Sequence, residues 1–509
     1  MRPSSATTLL ILLAALALSS AARAEGAPTR FPANHAKSVN PDTHLVLTFD
    51  SPPTLGKSGQ IRIYDAAGHH LVDTLDLSIP AGPDPARRMA ATAATVTVLD
   101  PSVPTSPTTT TPAVRTTPAD LHNYQLTTIG GLPDFHFYPV IIHDKVATIY
   151  LHNNVLRYNR NYVVQIDSGV FTLATGAFAG FPTDDGWRFS TRQTAPRADT
   201  DRVVVAADGS GDFNTVQGAV DFVPANPSKR VTIFIRNGTY EEIVFFSNKA
   251  NLTFRGEDRD KVEVGYANNS GFNPPQPGPN RRCSFSAYDS TGIEFTNFTL
   301  KNYAYGQAEG LLVSGSKNIV DHMTIKGSGD ALNLRGSVYL ADSIIIGDGD
   351  TILGVGPAFF RRCEIQSIGP FMWIRNTEAN HGNVFVDCTF TALQRPAPAG
   401  AAPPPVRSSS VLARLPNNHG LNYPYAEAVL ISCRLKGIPP AGWGPIEDET
   451  SHIHFWEFHS TDADGHPVDV TERHPVSRQL TEPQDTQTIA NYRDPAFVLG
   501  GWVPVAASK

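Results

Sequence analysis

One short pattern of alternating apolar residues recurs from about Asn251 to Phe458, and it limits the fold more than any other feature of the chain. It reads Glu294-Phe-Thr-Asn-Phe298-Thr-Leu, Ile319-Val-Asp-His-Met323-Thr-Ile, Tyr339-Leu-Ala-Asp-Ser343-Ile-Ile and Phe359-Phe-Arg-Arg-Cys363-Glu-Ile. It continues as Phe385-Val-Asp-Cys388-Thr-Phe and Leu430-Ile-Ser-Cys433-Arg-Leu. With Phe298, Met323, Ser343, Cys363 and Cys388 as equivalent positions, the steps are 25, 20, 20 and 25 residues. One strand pattern per repeat at this period indicates a solenoid, and the lack of helical spacing between strands favours a β-helix.

Two Gly-x-Gly-Asp segments, Gly327-Ser-Gly-Asp330 and Gly347-Asp-Gly-Asp350, fall at the same point of successive repeats. Stacked strands lie about 4.8 Å apart, so coils in register make Asp330 and Asp350 neighbours on one face. Like charges that close disfavour double ionisation, and one carboxyl then holds its proton more tightly than the other. Such a pair supplies both an acid and a base. Gly-Asp pairs also make tight turns between strands, and spacing alone leaves that reading open.

The rest of the chain divides by texture. Met1-Arg-Pro, an apolar run from Leu9 to Leu18 and Ala22-Arg-Ala24 read as a signal peptide over residues 1–24, too short to span a bilayer. The expectation is an exported protein, secreted or periplasmic. Residues 28–195 alternate like half-buried strands, as in Leu45-Val-Leu-Thr-Phe49 and Ile61-Arg-Ile-Tyr64, and suggest a β-sandwich. A Pro/Thr-rich insertion near 101–118 interrupts it, and a second low-complexity run covers Pro396 to Pro405. The β-helix is expected over 202–506, with Thr215 to Phe222 as a helical cap on its open end. A net charge of −7 argues against nucleic acid as a partner. No membrane partner is expected, and a monomer is the default. Cys283, Cys363, Cys388 and Cys433 lack metal-site spacing. Three of them hold equivalent repeat positions, which suits a ladder of buried thiols, with disulfides the alternative.

From Val203 to Trp502 the chain resembles the pectin methylesterase (pectinesterase) family. Asp208-Gly-Ser-Gly-Asp-Phe-Asn-Thr-Val-Gln217, Gly238-Thr-Tyr240-Glu-Glu242 and Gly306-Gln307-Ala-Glu-Gly-Leu311 match its motifs in order. The Asp pair follows, then Arg414 and the tail Ala441-Gly-Trp443, Ser477-Arg-Gln-Leu480 and Leu499-Gly-Gly-Trp502. The N-terminal part is similar to immunoglobulin-like modules that precede some bacterial members. The resemblance implies a right-handed parallel β-helix and hydrolysis of galacturonate methyl esters on a polysaccharide, with no metal and no cofactor. It implies Asp350 as nucleophile, Asp330 as general acid/base, Arg414 as the partner of Asp350, Gln307 as an oxyanion donor and Trp443 as a substrate-binding ring.

The departures concern the groove. The family's Gln-Asp-Thr-Leu-Tyr is here Gly329-Asp330-Ala-Leu-Asn333, so a second oxyanion Gln is absent. Losing one such donor typically costs about 10²–10³ in rate. Asn333, Thr351 and Pro416 stand where the family has aromatic residues. Two alternatives stay open at this stage. One is a β-helical polysaccharide lyase in which Asp330, Asp348 and Asp350 bind Ca²⁺; the other is a glycan-binding protein without catalysis.

Overall fold

The computed structural model describes residues 26–83, 123–174, 176–394, 410–416, 423–447 and 449–505. The segment read as an export signal, the Pro/Thr-rich stretch at 101–118 and the run from Pro396 to Pro405 lie outside the described residues. No helix among the described residues is long and apolar enough to cross a membrane.

Strand alternation builds the N-terminal part. Leu45–Thr48 buries Leu45 and Leu47, and Gln60–Asp65 buries Ile61 and Ile63, the two-residue period that turns one face of a strand inward. The first strand belongs to a four-stranded sheet and the second to a five-stranded sheet. Their inward side chains share one core with Tyr162, Trp187 and Phe189. That core continues onto Ile243, Phe245, Tyr266, Phe272, Ala304 and Ala308, so the N-terminal strands are packed against the flank of the C-terminal part. Asp42 strengthens the junction by accepting the backbone N–H groups of Asn214 and Thr215, both at 2.8 Å.

From Arg202 onward every strand ladder among the described residues is parallel, and these strands form one fifteen-stranded and one eight-stranded sheet. A chain that returns to the same two sheets turn after turn is a parallel β-helix. The repeat pattern has a local cause at one corner. Asn297, His322, Asp342, Arg362, Asp387 and Ser432 all have φ between +49° and +64°, a left-handed kink that bends the chain from one sheet to the next. The residue after each kink points inward: Phe298, Met323, Ser343, Cys363, Cys388 and Cys433 are all buried. Glu364 pairs with Thr389 and Thr389 with Arg434, so Cys363, Cys388 and Cys433 are stacked. All four cysteines are free thiols, which decides between the ladder and the disulfides. The helix Val216–Phe222, capped by the Thr215 hydroxyl, buries Val216, Ala219 and Val220 over the first coils, as an open solenoid end requires.

Candidate active site

Register brings the carboxylates together. Leu311 pairs with Leu332, and Leu332 pairs with Ile352. Asp330 and Asp350 each stand two residues before one of these paired positions, so they are stacked on adjacent coils. Glu309 stands two residues before Leu311 and completes a column of three carboxylates, one per coil. The sequence reading missed Glu309 because its coil carries a longer excursion, which hides the common spacing. Counting backward from the paired strand, rather than forward from the corner, reveals it.

Each carboxylate has a cationic partner. Arg414 grips Asp350 with both ends of its guanidinium, Nε to Oδ1 at 2.7 Å and Nη2 to Oδ2. A bidentate, charge-assisted pair of this kind fixes the orientation of the carboxylate. Arg414 is itself held by a short parallel bridge of its segment beside Met372, where its N–H donates to the Met372 carbonyl at 3.2 Å. Asp350 adopts φ +43°, a conformation that costs a non-glycine residue of order 1–3 kcal/mol and gathers at functional sites. Asp330 is only 8% exposed. Burial, together with Glu309 and Asp350, outweighs the nearby Arg282 and Arg375 and pushes its carboxyl up to about 8. At neutral pH Asp330 therefore keeps its proton.

Arg282, which sequence reasoning did not single out, joins the upper half of the column. It donates from Nε to both oxygens of Glu309 at 2.8 Å and from Nη2 to Asp330 Oδ2 at 3.0 Å. Its Nη1 donates to Gln307 Oε1 at 2.9 Å. A guanidinium can only donate, so the carbonyl end of Gln307 is the end engaged and its amide N–H groups face elsewhere. Asn333 completes the set by donating to Glu309 at 3.2 Å. The loop bearing Arg282 is tied to the N-terminal strands. Arg281 donates to the Pro133 carbonyl at 3.0 Å, and the Asn273 carbonyl oxygen accepts the His136 N–H at 2.9 Å. The Asn268 amide links this loop across to the Arg281 and Cys283 carbonyls at 2.7 and 2.9 Å.

One further expectation changes. Trp443 is a core residue: it is 1% exposed, stacks on Phe455 and donates to Glu457 at 2.9 Å. It presents no ring face to a substrate, because its neighbours on the adjacent strand cover it. The aromatic ring beside the carboxylates is Trp373, half-buried, with the Arg375 and Arg414 guanidinium carbons 4.9 and 5.4 Å from its ring centre. Trp373 pairs with Leu353, and Leu353 with Asn333. The ring thus sits two coils beyond the Tyr position that Asn333 replaces. Arg375 Nε and Nη2 and Trp373 Nε1 are buried without a hydrogen-bond partner among the described residues.

The calcium alternative fails on the same contacts. Asp330 and Asp350 are engaged by Arg282 and Arg414, whose charges oppose a dication, and Asp348 accepts the Gly329 N–H. Among the described residues, carboxylate and His groups converge within 4.8 Å at Asp321, His322 and Asp342 and at Asp462, Asp464 and His466, neither of which includes these three.

Residues 202–395 match the family model described as Pectinesterase. A probable pectinesterase/pectinesterase inhibitor 19 from Arabidopsis thaliana is 29% identical over 273 residues, covering 50% of this chain and 49% of the relative. A pectinesterase from Ralstonia solanacearum is 27% identical over 272 residues, covering 44% of this chain and 69% of the relative. The chain thus spans about half the length of the plant relatives it matches. A pectin methylesterase from carrot overlaps 59% of this chain and 93% of its own, with 23% identity and a TM-score of 0.48. Over residues 202–395 this chain is thus similar to the pectinesterase family.

Proposed function

We propose that the protein is an exported carbohydrate esterase that hydrolyses methyl esters of a polyuronate such as pectin. The observation that carries this reading is the pairing of an Arg-held carboxylate, Asp350, with a proton-holding carboxyl, Asp330, on adjacent coils. Asp350 attacks the ester carbonyl carbon, and the amide of Gln307 donates to the oxyanion that forms. The carbon–oxygen bond to the methoxy group breaks, and Asp330 gives its proton to the departing oxygen, releasing methanol. The remaining acyl group is joined to Asp350 as an anhydride. Asp330, now a carboxylate, takes a proton from water, whose oxygen attacks the acyl carbon. Cleavage returns Asp350 as a carboxylate and leaves a uronic acid, which releases its proton to solvent as the free uronate. Arg414 holds the Asp350 carboxylate in place through its paired hydrogen bonds throughout.

Trp373 and Arg375 supply an aromatic face and a guanidinium with unengaged donors, which suits a sugar ring bearing a carboxylate. The two-part division, a sandwich over 28–195 and a β-helix over 202–506, gives the first part the role of bracing the site-bearing loop.

The test is methanol release from highly methylated pectin by wild-type protein, Asp350→Asn and Asp330→Asn, with and without a chelator. Release by the wild type that survives chelation and falls by about 10³ or more in both variants supports the mechanism. Release unchanged in Asp350→Asn overturns the assignment of the nucleophile. Saturable pectin binding by folded wild-type protein with no methanol overturns the hydrolase.

A further inference from the structure

We propose that Arg282 is a positioning residue of this site, clamped by the buried Glu309 so that it holds the acid–base carboxylate Asp330 and the oxyanion amide Gln307 at once. The inference rests on the hydrolase reading above. It concerns a group that neither the family resemblance nor the Asp pair brings to attention.

The geometry is specific. Glu309 is 0% exposed and takes the Nε of Arg282 on both oxygens, with Nη2 of the same guanidinium on Oε1. That arrangement leaves the guanidinium little rotational freedom, and its remaining donors reach the Asp330 carboxylate and the Gln307 carbonyl oxygen. Asn333, at the position of a lost aromatic ring, steadies Glu309 while its own oxygen accepts from Arg335 at 3.2 Å. A single planar fork therefore couples three groups on two segments. A Lys, with a compact ammonium, cannot reproduce this.

The electrostatic consequence has a definite sign. Asp330 is faced by Arg282 and Glu309 from the preceding coils, by Asp350 and Arg375 from the following ones, and by Arg414 beyond them. Burial raises the proton affinity of Asp330 most, Arg282 lowers it, and Glu309 raises it. The Glu309–Arg282 pair thus leaves Asp330 protonated, because the buried Glu309 charge offsets much of the Arg282 charge. Removing Glu309 alone exposes Asp330 to an uncompensated cation and lowers its titration midpoint. Removing Arg282 as well returns the midpoint upward.

The experiment follows Asp330 directly and through the reaction. The carboxyl ¹³C resonance of Asp330, assigned with Asp330→Asn, is titrated in the wild type, Glu309→Gln and Arg282→Met/Glu309→Gln, alongside the pH profile of kcat/KM for pectin methyl ester hydrolysis. Glu309→Gln is expected to lower the midpoint and the basic limb together by about 1–2 pH units, and the double variant to raise both again by about 1 unit or more. Arg282→Lys keeps the charge but loses the fork, so it is expected to lower kcat while moving the midpoint less than the step from Glu309→Gln to the double variant. Midpoints that coincide in all four proteins overturn the inference, even where the variants lose activity. Midpoints that move as stated in a protein that releases no methanol support the Arg282 contact and overturn the hydrolase reading alone.

Discussion

Restoring the family's second amide at Gly329 should damage this protein rather than accelerate it. Gly329 has φ +66°, and a Cβ built there lies 2.9 Å from the Gly306 carbonyl oxygen. A left-handed conformation costs an L-residue about 1–2 kcal/mol. Displacing the Gly306 backbone to relieve the contact adds roughly 1–3 kcal/mol, the range for overpacking a filled site. The Gly329 N–H is also committed to the Asp348 carboxylate, which opposes rotation of the peptide. Gly329→Gln is therefore expected to lose about 2–5 kcal/mol. At roughly 2–4 °C per kcal/mol for a domain of this order of size, the melting temperature falls by about 4–20 °C. Gly329→Ala shares the backbone problem and should show most of the same loss. The assay is thermal unfolding of both variants beside methanol release at a temperature where each is folded. A Gly329→Gln protein that keeps its melting temperature and gains about 10² in rate, as one added oxyanion donor would supply, refutes the reasoning.

Other outcomes rest on the same contacts. Asn268→Ala strands the buried carbonyls of Arg281 and Cys283, so it should destabilise by about 1–3 kcal/mol per group and lower kcat through the loosened Arg282 loop. Thermal unfolding and kcat together check this, and a stability loss with kcat intact would exclude the link to the site. Arg375→Met should raise KM for polyuronate ester roughly 10–100-fold with little change in kcat, as loss of a charge-assisted hydrogen bond of about 1.5–3 kcal/mol requires; steady-state kinetics decide it. Glu427 pins the helix Thr486–Arg493 by accepting from His381 and His454 at 2.8 Å and from the Tyr492 hydroxyl at 2.6 Å. Although burial alone would raise it, these bonds hold its carboxyl down to about 2 against an ordinary 4.5. A depressed acid contributes stability that is complete above pH 4.5 and lost as pH falls toward 2, here about 3 kcal/mol. Acid unfolding of Glu427→Gln should lack that slope, and an unchanged slope would contradict the assignment.

Much of the site was legible along the chain because a β-helix converts sequence period into stacking. Asp330 and Asp350 lie 20 residues apart in coils of 20 residues, so equal spacing became adjacency with no further information. The corner residues and the thiol ladder come from the same period. Arg414 was identifiable only through a family motif, since an excursion separates it from the coils it returns to. Arg282, Glu309 and Trp373 were not legible as a site. Their spacings to the Asp pair obey no common step, and only strand register shows that Glu309 shares the carboxylate column. Trp443 shows the converse limit: a Trp in a family-like tail has no direction in sequence, and packing against Phe455 turned it into the core.

The sequence by itself determined the repeat, hence the parallel β-helix and the pairing of Asp330 with Asp350, because hydrophobic alternation and coil length are local properties. Tertiary structure decided which of the two carboxyls keeps the proton. That depends on burial and on the charges of Arg282, Glu309, Arg375 and Arg414, which reach Asp330 and Asp350 from distant segments. It also decided that Gly329 cannot carry the missing amide, since the obstruction is the backbone of Gly306 on the neighbouring coil. Through-space charge and close backbone approach have no period, and only the folded chain brings them to one place.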